Sequence, residues 1–246
     1  MNIQNRFQYF FKGFIIINLI WIILSKAVNM NILPLPFEVY KNLFTMNFSD
    51  LYIHFTYSFM RIFLGIAISL ILGVFIGIIS YYSKTFDNII APLVYFTYPI
   101  PKISLLPILM LTLGIKEKSK IVMIVLIVIF QVIITTRDSI KNIPKEIFYP
   151  LKCLGASRFQ ILKEVLFPSI LSEIFTSIRL ALGTAISVLF FTETYGTRYG
   201  MGYFIMDSWM KIDYISMYTG IVLISILGFF LFTLVDLLEQ YFCRWR

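Results

Sequence analysis

Charge is what this chain has least of. Only 14% of its 246 residues are Asp, Glu, Lys or Arg, against about 25% in soluble domains. Histidine occurs once, at His54, and cysteine twice, at Cys153 and Cys243. No Cys/His spacing suggests a metal site. A membrane-embedded enzyme would need clustered His, Asp and Glu on inward faces, and this sequence offers too few of each. No catalytic residue and no cofactor are therefore expected. The pattern Gly-x-x-x-x-Gly-Lys-Ser/Thr is absent, so the chain has no phosphate cradle of that type. Any use of ATP then falls to a separate subunit. There is no repeat of fixed period, no low-complexity tract and no soluble second domain.

What is present is apolar. Hydrophobic residues make up 59% of the chain, and Phe alone occurs 25 times. A soluble fold of this length has too little interior to hide so much apolar surface. The expected class is an all-α integral membrane protein, and the lipid bilayer is its first partner. The net charge of +8 is then a topology signal rather than a nucleic-acid footprint.

Six spans of about 20 apolar residues fit the sequence: 13–31, 54–80, 89–113, 119–136, 172–194 and 215–241. Arg6 and Lys12 precede the run Gly13 to Leu24, but no small-residue cleavage site follows, so this reads as a retained helix. Residues 1–53 form an N-terminal membrane helix with an external segment, and 54–246 a core domain. Lys and Arg collect in the loop 137–171, at the N-terminus and at Arg244-Trp245-Arg246. An even span number places all three in the cytoplasm of a multi-pass plasma-membrane protein. Lys116, Lys118 and Lys120 then fall in an external loop, against the trend. Both cysteines face the cytoplasm and should be reduced thiols. Residues 196–214 read as an external loop.

The loop 137–171 carries helix signals of its own. Pro144 suits a helix start, and Ile147, Leu151 and Leu154 share a helical face. Gly155 is a natural left-handed stop. Ser157 with Gln160 forms a capping box for a second helix, whose apolar side is Phe159, Leu162, Val165 and Leu166, and which Pro168 closes. Such a helix–turn–helix on a membrane protein is a docking element.

Its residues resemble the coupling loop of binding-protein-dependent ABC transporter permeases. That family's pattern is Glu-Ala-Ala, three residues, Gly, nine residues, Ile, one residue, Leu-Pro. Gly155 falls on the Gly, Val165 on the Ile and Phe167-Pro168 on the Leu-Pro, while Tyr149-Pro150-Leu151 replaces Glu-Ala-Ala. Arg179-Leu180-Ala181-Leu182-Gly183, Thr192-Glu193, Gly200-Met201-Gly202-Tyr203 and Pro99-Ile100-Pro101 resemble the branch importing nitrate, sulfonates and taurine. The resemblance implies a six-helix type I importer subunit. Tyr149, Pro150, Leu151, Lys152, Cys153, Leu154, Gly155, Ala156, Ser157, Arg158 and Pro168 would couple it to ABC ATPase subunits. It also implies an extracytoplasmic substrate-binding protein and a second permease subunit, most simply a second copy of this chain. The solute would be a small anion such as a sulfonate, taurine or nitrate; relatives that carry vitamin precursors supply the alternative of a neutral or cationic solute. An ion-driven carrier would show internal repeats and need no docking loop.

Polar groups inside spans are costly and therefore functional candidates. Span three is interrupted by Pro92, Pro99, Pro101 and Pro107, and proline frees carbonyls that must be paired or face a cavity. Beside them lies Lys102. Arg61 in span two and Glu193 in span five complete the candidate pathway, with Pro99 and Pro101. Arg61 and Lys102 could bind an oxyanion, or instead pair with Glu193 or Asp207 or reach an interface. Arg179 reads as structural, His54 as an interface residue, and Gly73-x-x-x-Gly77 as a close helix contact.

Overall fold

The computed structural model describes residues 3–28, 32–97 and 99–244, with side chains described from residue 11 onward except that of Lys152. Trp245 and Arg246 lie outside the described residues. In chain order the helices are α1 (Ile3–Val28), α2 (Pro36–Thr45), α3 (Phe48–Tyr82), α4 (Lys84–Thr97), α5 (Leu106–Leu113), α6 (Glu117–Lys141), α7 (Tyr149–Cys153), α8 (Arg158–Ile161), α9 (Phe167–Glu193), α10 (Met201–Met210) and α11 (Tyr214–Phe242). No strand occurs among the described residues.

The centre is α3 against α6 and α6 against α9. In lipid no hydrophobic force presses helices together, so small residues must let them approach. Gly65, Gly73 and Gly77 do this along α3. A Cβ at those positions would come within 2.6 Å of Ile124, 2.8 Å of Val132 and 2.7 Å of Thr136. Behind this seam Ile62, Met123, Ile124, Val128, Leu182 and Leu189 form a packed core. Arg179 on α9 fastens α11 through Asp236 at 2.8 Å and Glu239 at 2.5 Å, the structural role expected of it. The α1 helix joins the bundle through α2 and through Trp21, whose ring lies 5.6 Å from that of Tyr218 on α11. Tyr40 on α2 donates to Asn18 at 2.8 Å, and Asn42 donates to Thr219 on α11 at 3.1 Å. Ile17, Ile23, Ile71 and Phe75 stay exposed. A water-soluble monomer rarely shows such continuous apolar faces; here they are the lipid surface.

The third span is interrupted at its prolines, as expected, and begins at Lys84 rather than at 89: α4 is followed, after a bend of 91°, by a short 3₁₀ turn Lys102–Leu105 and α5, because proline cannot continue the ladder. Two other expectations need correction. Pro168 does not close the second loop helix. Arg158–Glu193 runs on as one span-length helix, and the turn before the proline widens into a π-helix at Leu162–Leu166. That widening absorbs the donor that Pro168 lacks. Residues 196–214 are not all loop, since they contain α10. Its Phe204 and Ile205 lie against Gly220 of α11, where a Cβ would come within 2.8 and 2.6 Å of them.

The bent segment runs along α6 from one end to the other. At its start Asp87 pairs with Arg137 at 3.4 Å and Lys141 at 3.1 Å, near the C-terminal end of α6. Midway, the Lys102 ammonium lies 5.0 Å over the ring of Phe130, in the middle of α6. At its end Gly114–Lys116 joins the N-terminus of α6 directly. The segment therefore travels the full length of α6; counted as one bent span, it joins five single-helix candidates to make six.

Candidate functional site

Two polar constellations stand at opposite ends of the bundle. The first follows the C-terminus of α6. Asn142 ends α6, a 3₁₀ turn Lys145–Phe148 follows, and α7 runs from Tyr149 to Cys153. The Leu154 N–H donates to the Pro150 carbonyl at 3.1 Å and the Ala156 N–H to the Leu151 carbonyl at 2.9 Å. These bonds close α7 around Gly155, whose φ is 74°, a region a side chain resists. The capping box forms as expected. Ser157 Oγ accepts from the Gln160 N–H at 3.3 Å, and Gln160 Oε1 accepts from the Ser157 N–H at 2.7 Å.

Phe148, Val165 and Leu166 turn into the core and Leu151 packs against it. Tyr149, Pro150, Cys153, Arg158 and Phe159 are exposed, as is Leu154 at 84%. Ala156 and Pro168 are half-buried. Lys152 lies in α7, but its side chain falls outside the description. The expected face of Ile147, Leu151 and Leu154 is thus divided, with Leu151 inward and Leu154 outward. The outward set is an apolar knob on basic surroundings that this chain does not cover.

The second constellation is buried and brings Arg61 and Glu193 together. Arg61 is 1% exposed and Glu193 fully enclosed. Arg61 Nη1 donates to Glu193 at 2.6 Å and to the Tyr199 carbonyl at 2.8 Å. Its Nε and Nη2 grip both oxygens of Glu117, at 2.5 and 2.7 Å. Ser58 Oγ lies 2.9 Å from each Glu193 oxygen and accepts from the Met201 N–H at 2.7 Å. The Gly202 N–H donates to Glu193 at 2.8 Å, and the Gly200 N–H to His54 Nδ1 at 3.1 Å. Glu193 thereby sits at the positive N-terminal end of α10. The φ of Gly200 is 130°, and a Cβ there would stand 2.6 Å from Arg61 Nη1. Only glycine lets the backbone pass over the ion pair. Lys120, fully buried, adds a second cation within electrostatic reach of Arg61, Glu117 and Glu193. Two cations and two carboxylates therefore balance in one cluster.

Pro99, Pro101 and Lys102 do not join that cluster. The prolines are exposed and Lys102 is half-buried beside Phe130. Sequence reasoning missed Ser58, Glu117 and the buried state of Lys120. Glu117 and Lys120 sit among Lys116 and Lys118, so they read as loop charges. The signal for Ser58 was there. His54, Ser58 and Arg61 fall at i, i+4 and i+7, a polar stripe on an otherwise apolar helix.

This architecture is a helical membrane subunit with a capped, outward-facing loop at one end and a locked charge cluster at the other. Residues 69–242 match the family of binding-protein-dependent transport system inner membrane components, and the chain belongs to that family. It is 30% identical over 223 residues, 89% of this chain and 80% of the relative, to the putative aliphatic sulfonates transport permease protein SsuC of Bacillus subtilis. To the taurine transport system permease protein TauC of Escherichia coli it is 29% identical, covering 87% and 80%. To the formylaminopyrimidine transport permease protein ThiX of Halalkalibacterium halodurans it is 26% identical, covering 95% and 94%. Its fold superposes with a TM-score of 0.67 on a subunit of the MetNI methionine ABC transporter, solved in inward-facing conformations, covering 80% of this chain and 99% of that one at 18% identity. The protein is a type I permease subunit of an ABC importer, a multi-pass inner-membrane component that works with an ATPase and a substrate-binding protein.

Proposed function

We propose that ATP-driven movement enters this subunit through α7 and the Gly155 turn, docked in a groove of the ATPase on the cytoplasmic side. The observation that carries this reading is the exposed knob of Tyr149, Leu154 and Phe159 on a loop with its own caps and turn. A loop that only joined α6 to α9 would need neither. The subunit itself performs no bond chemistry, and the ATPase activity resides in the partner. Two copies of this chain would form the channel. The charge cluster would close the opposite, external end, where the binding protein delivers solute. Pro99, Pro101 and Lys102 would line the pathway. Leu154→Asp tests the dock: it should abolish co-purification with the ATPase while membrane insertion stays normal, and undiminished co-purification would refute it.

Orientation follows from the basic residues of the loop, which place it and both termini in the cytoplasm. Single cysteines at Ser169 and Thr197, in a background lacking Cys153 and Cys243, check this with an impermeant thiol reagent on intact cells. Thr197→Cys should label and Ser169→Cys should not. The reverse pattern would invert the topology.

For the solute, relatives named for sulfonates and taurine support a small organic anion, with Lys102 as the cation offered to it. A second reading, a neutral vitamin-precursor solute, is favoured by one specific observation. Arg61 spends its donors on Glu117, Glu193 and the Tyr199 carbonyl, which withdraws it as an anion ligand.

A further inference from the structure

We propose that the cleft between α4 and the C-terminal half of α6 is the solute compartment of this permease, and that it selects a planar, N–H-bearing heteroaromatic solute over a sulfonate. The inference rests on the importer reading and decides between its two solute classes. The cleft has a volume of about 890 Å³ and is lined by Pro92, Tyr95, Phe96, Pro99, Ile134 and Arg137, among others. That lies within the roughly 300–1,000 Å³ of small-molecule sites.

This face suits water better than lipid. A helical carbonyl takes its donor from four residues onward. For Asn88 that residue is Pro92, which has no N–H. The helix ends at Thr97, so the carbonyls of its last turn have no further helical donor; those of Leu93 and Val94 accept instead from Thr97 Oγ1, at 2.8 and 3.1 Å. Carbonyls left without a donor in hydrocarbon are costly, so broken backbone of this kind belongs against a cavity. Arg137 on the rim, paired with Asp87 at 3.4 Å and Asp138 at 2.9 Å, is equally unsuited to lipid.

The chemistry of the lining chooses the solute. Carbonyl oxygens at the C-terminal end of α4 carry the negative pole of the helix, so they repel an oxyanion and accept from N–H groups. Tyr95 and Phe96 stand 77% and 74% exposed, edge to face with centroids 6.0 Å apart. Such rings stack on a planar solute. The rim cation is already balanced by its carboxylates. A sulfonate gains nothing from rings or carbonyls, whereas an aminopyrimidine uses both.

The test uses the permease reconstituted in vesicles with its ATPase and binding protein. ATP-dependent uptake of labelled formylaminopyrimidine is expected. Tyr95→Leu and Phe96→Leu, both at exposed rings, should lower it by at least about tenfold, the scale of one lost stacking contact, with complex yield and melting temperature unchanged. In a background lacking Cys153 and Cys243, Phe96→Cys should react with a hydrophilic maleimide and be protected by formylaminopyrimidine but not by taurine. Uptake of taurine in place of the pyrimidine overturns the inference. So does full uptake by both ring-less variants. So does a Phe96→Cys protein that is inert, because lipid or a second copy covers the face, or whose labelling ignores the pyrimidine. All three leave the importer reading standing. Failure of the complex to assemble or to drive any ATP-dependent uptake removes that reading, and the inference with it.

Discussion

Arg61→Met should destabilise the permease more than any other single change in the charge cluster. It leaves the Glu193 carboxylate fully enclosed, with its guanidinium partner gone. Removing one partner of a buried pair costs about 3–5 kcal/mol, because the other charge stays unsolvated. Glu193→Gln should cost less, since Arg61 keeps the two-point grip of Glu117 at 2.5 and 2.7 Å and the amide still fits Ser58. Glu117→Gln should cost least, since Glu117 is 46% exposed and water can replace part of what it loses. The double variant Arg61→Met/Glu193→Gln should recover much of the loss, because it leaves no buried charge without its counter-ion. The measurement is the melting temperature of the purified complex across this cycle. A double variant as damaged as the sum of the singles would mean that the ion pair is not what holds this end together.

The reason lies in what the cluster joins. Arg61 and Ser58 come from α3, Glu117 from the start of α6, Glu193 from the end of α9, and Tyr199 to Gly202 from the chain entering α10. Four elements meet through side chains rather than through apolar packing, which lipid cannot drive. Among the described residues the opposite end shows no comparable lock; its ties include the Asp87–Arg137–Lys141 pairs and the Arg179 clamp, all partly exposed.

The sequence carried most of the fold because its information is local. Apolar runs, the glycine series of α3, the Gly155 stop and the Ser157–Gln160 box act within a few residues, and each appears where its spacing places it. What escaped was tertiary. Nothing near Glu117 distinguishes a carboxylate that reaches Arg61 from one that is solvated. Pro168 looked terminal because a proline removes one donor, yet a single π turn accommodates it within a longer helix. The pathway trio of Arg61, Lys102 and Glu193 was selected on cost alone, and cost does not separate a substrate ligand from a structural ion pair. The structure separates them, with Arg61 and Glu193 joined to each other and Lys102 elsewhere, beside Phe130.

Gly155→Val should uncouple the transporter without disturbing its insertion. A side chain at Gly155 meets nothing within 4 Å, so no clash clouds the result. The whole effect comes from φ at 74°, where an L-residue costs about 1–2 kcal/mol and a β-branched one is the worst tolerated. The chain would relax by opening the turn. That breaks the Leu154-to-Pro150 and Ala156-to-Leu151 bonds and swings Tyr149 and Leu154 away from the line set by the Arg158 helix. A coupling element acts by geometry, so a modest local cost should produce a large loss of function. Gly155→Asn should be mildest, because asparagine enters the left-handed region readily, with Gly155→Ala between. The expected readout is weakened co-purification with the ATPase and loss of substrate-stimulated ATP hydrolysis in the order Val, Ala, Asn, at equal membrane content. Normal binding and normal stimulation in Gly155→Val would show that the turn is not part of the coupling path, whatever else α7 touches.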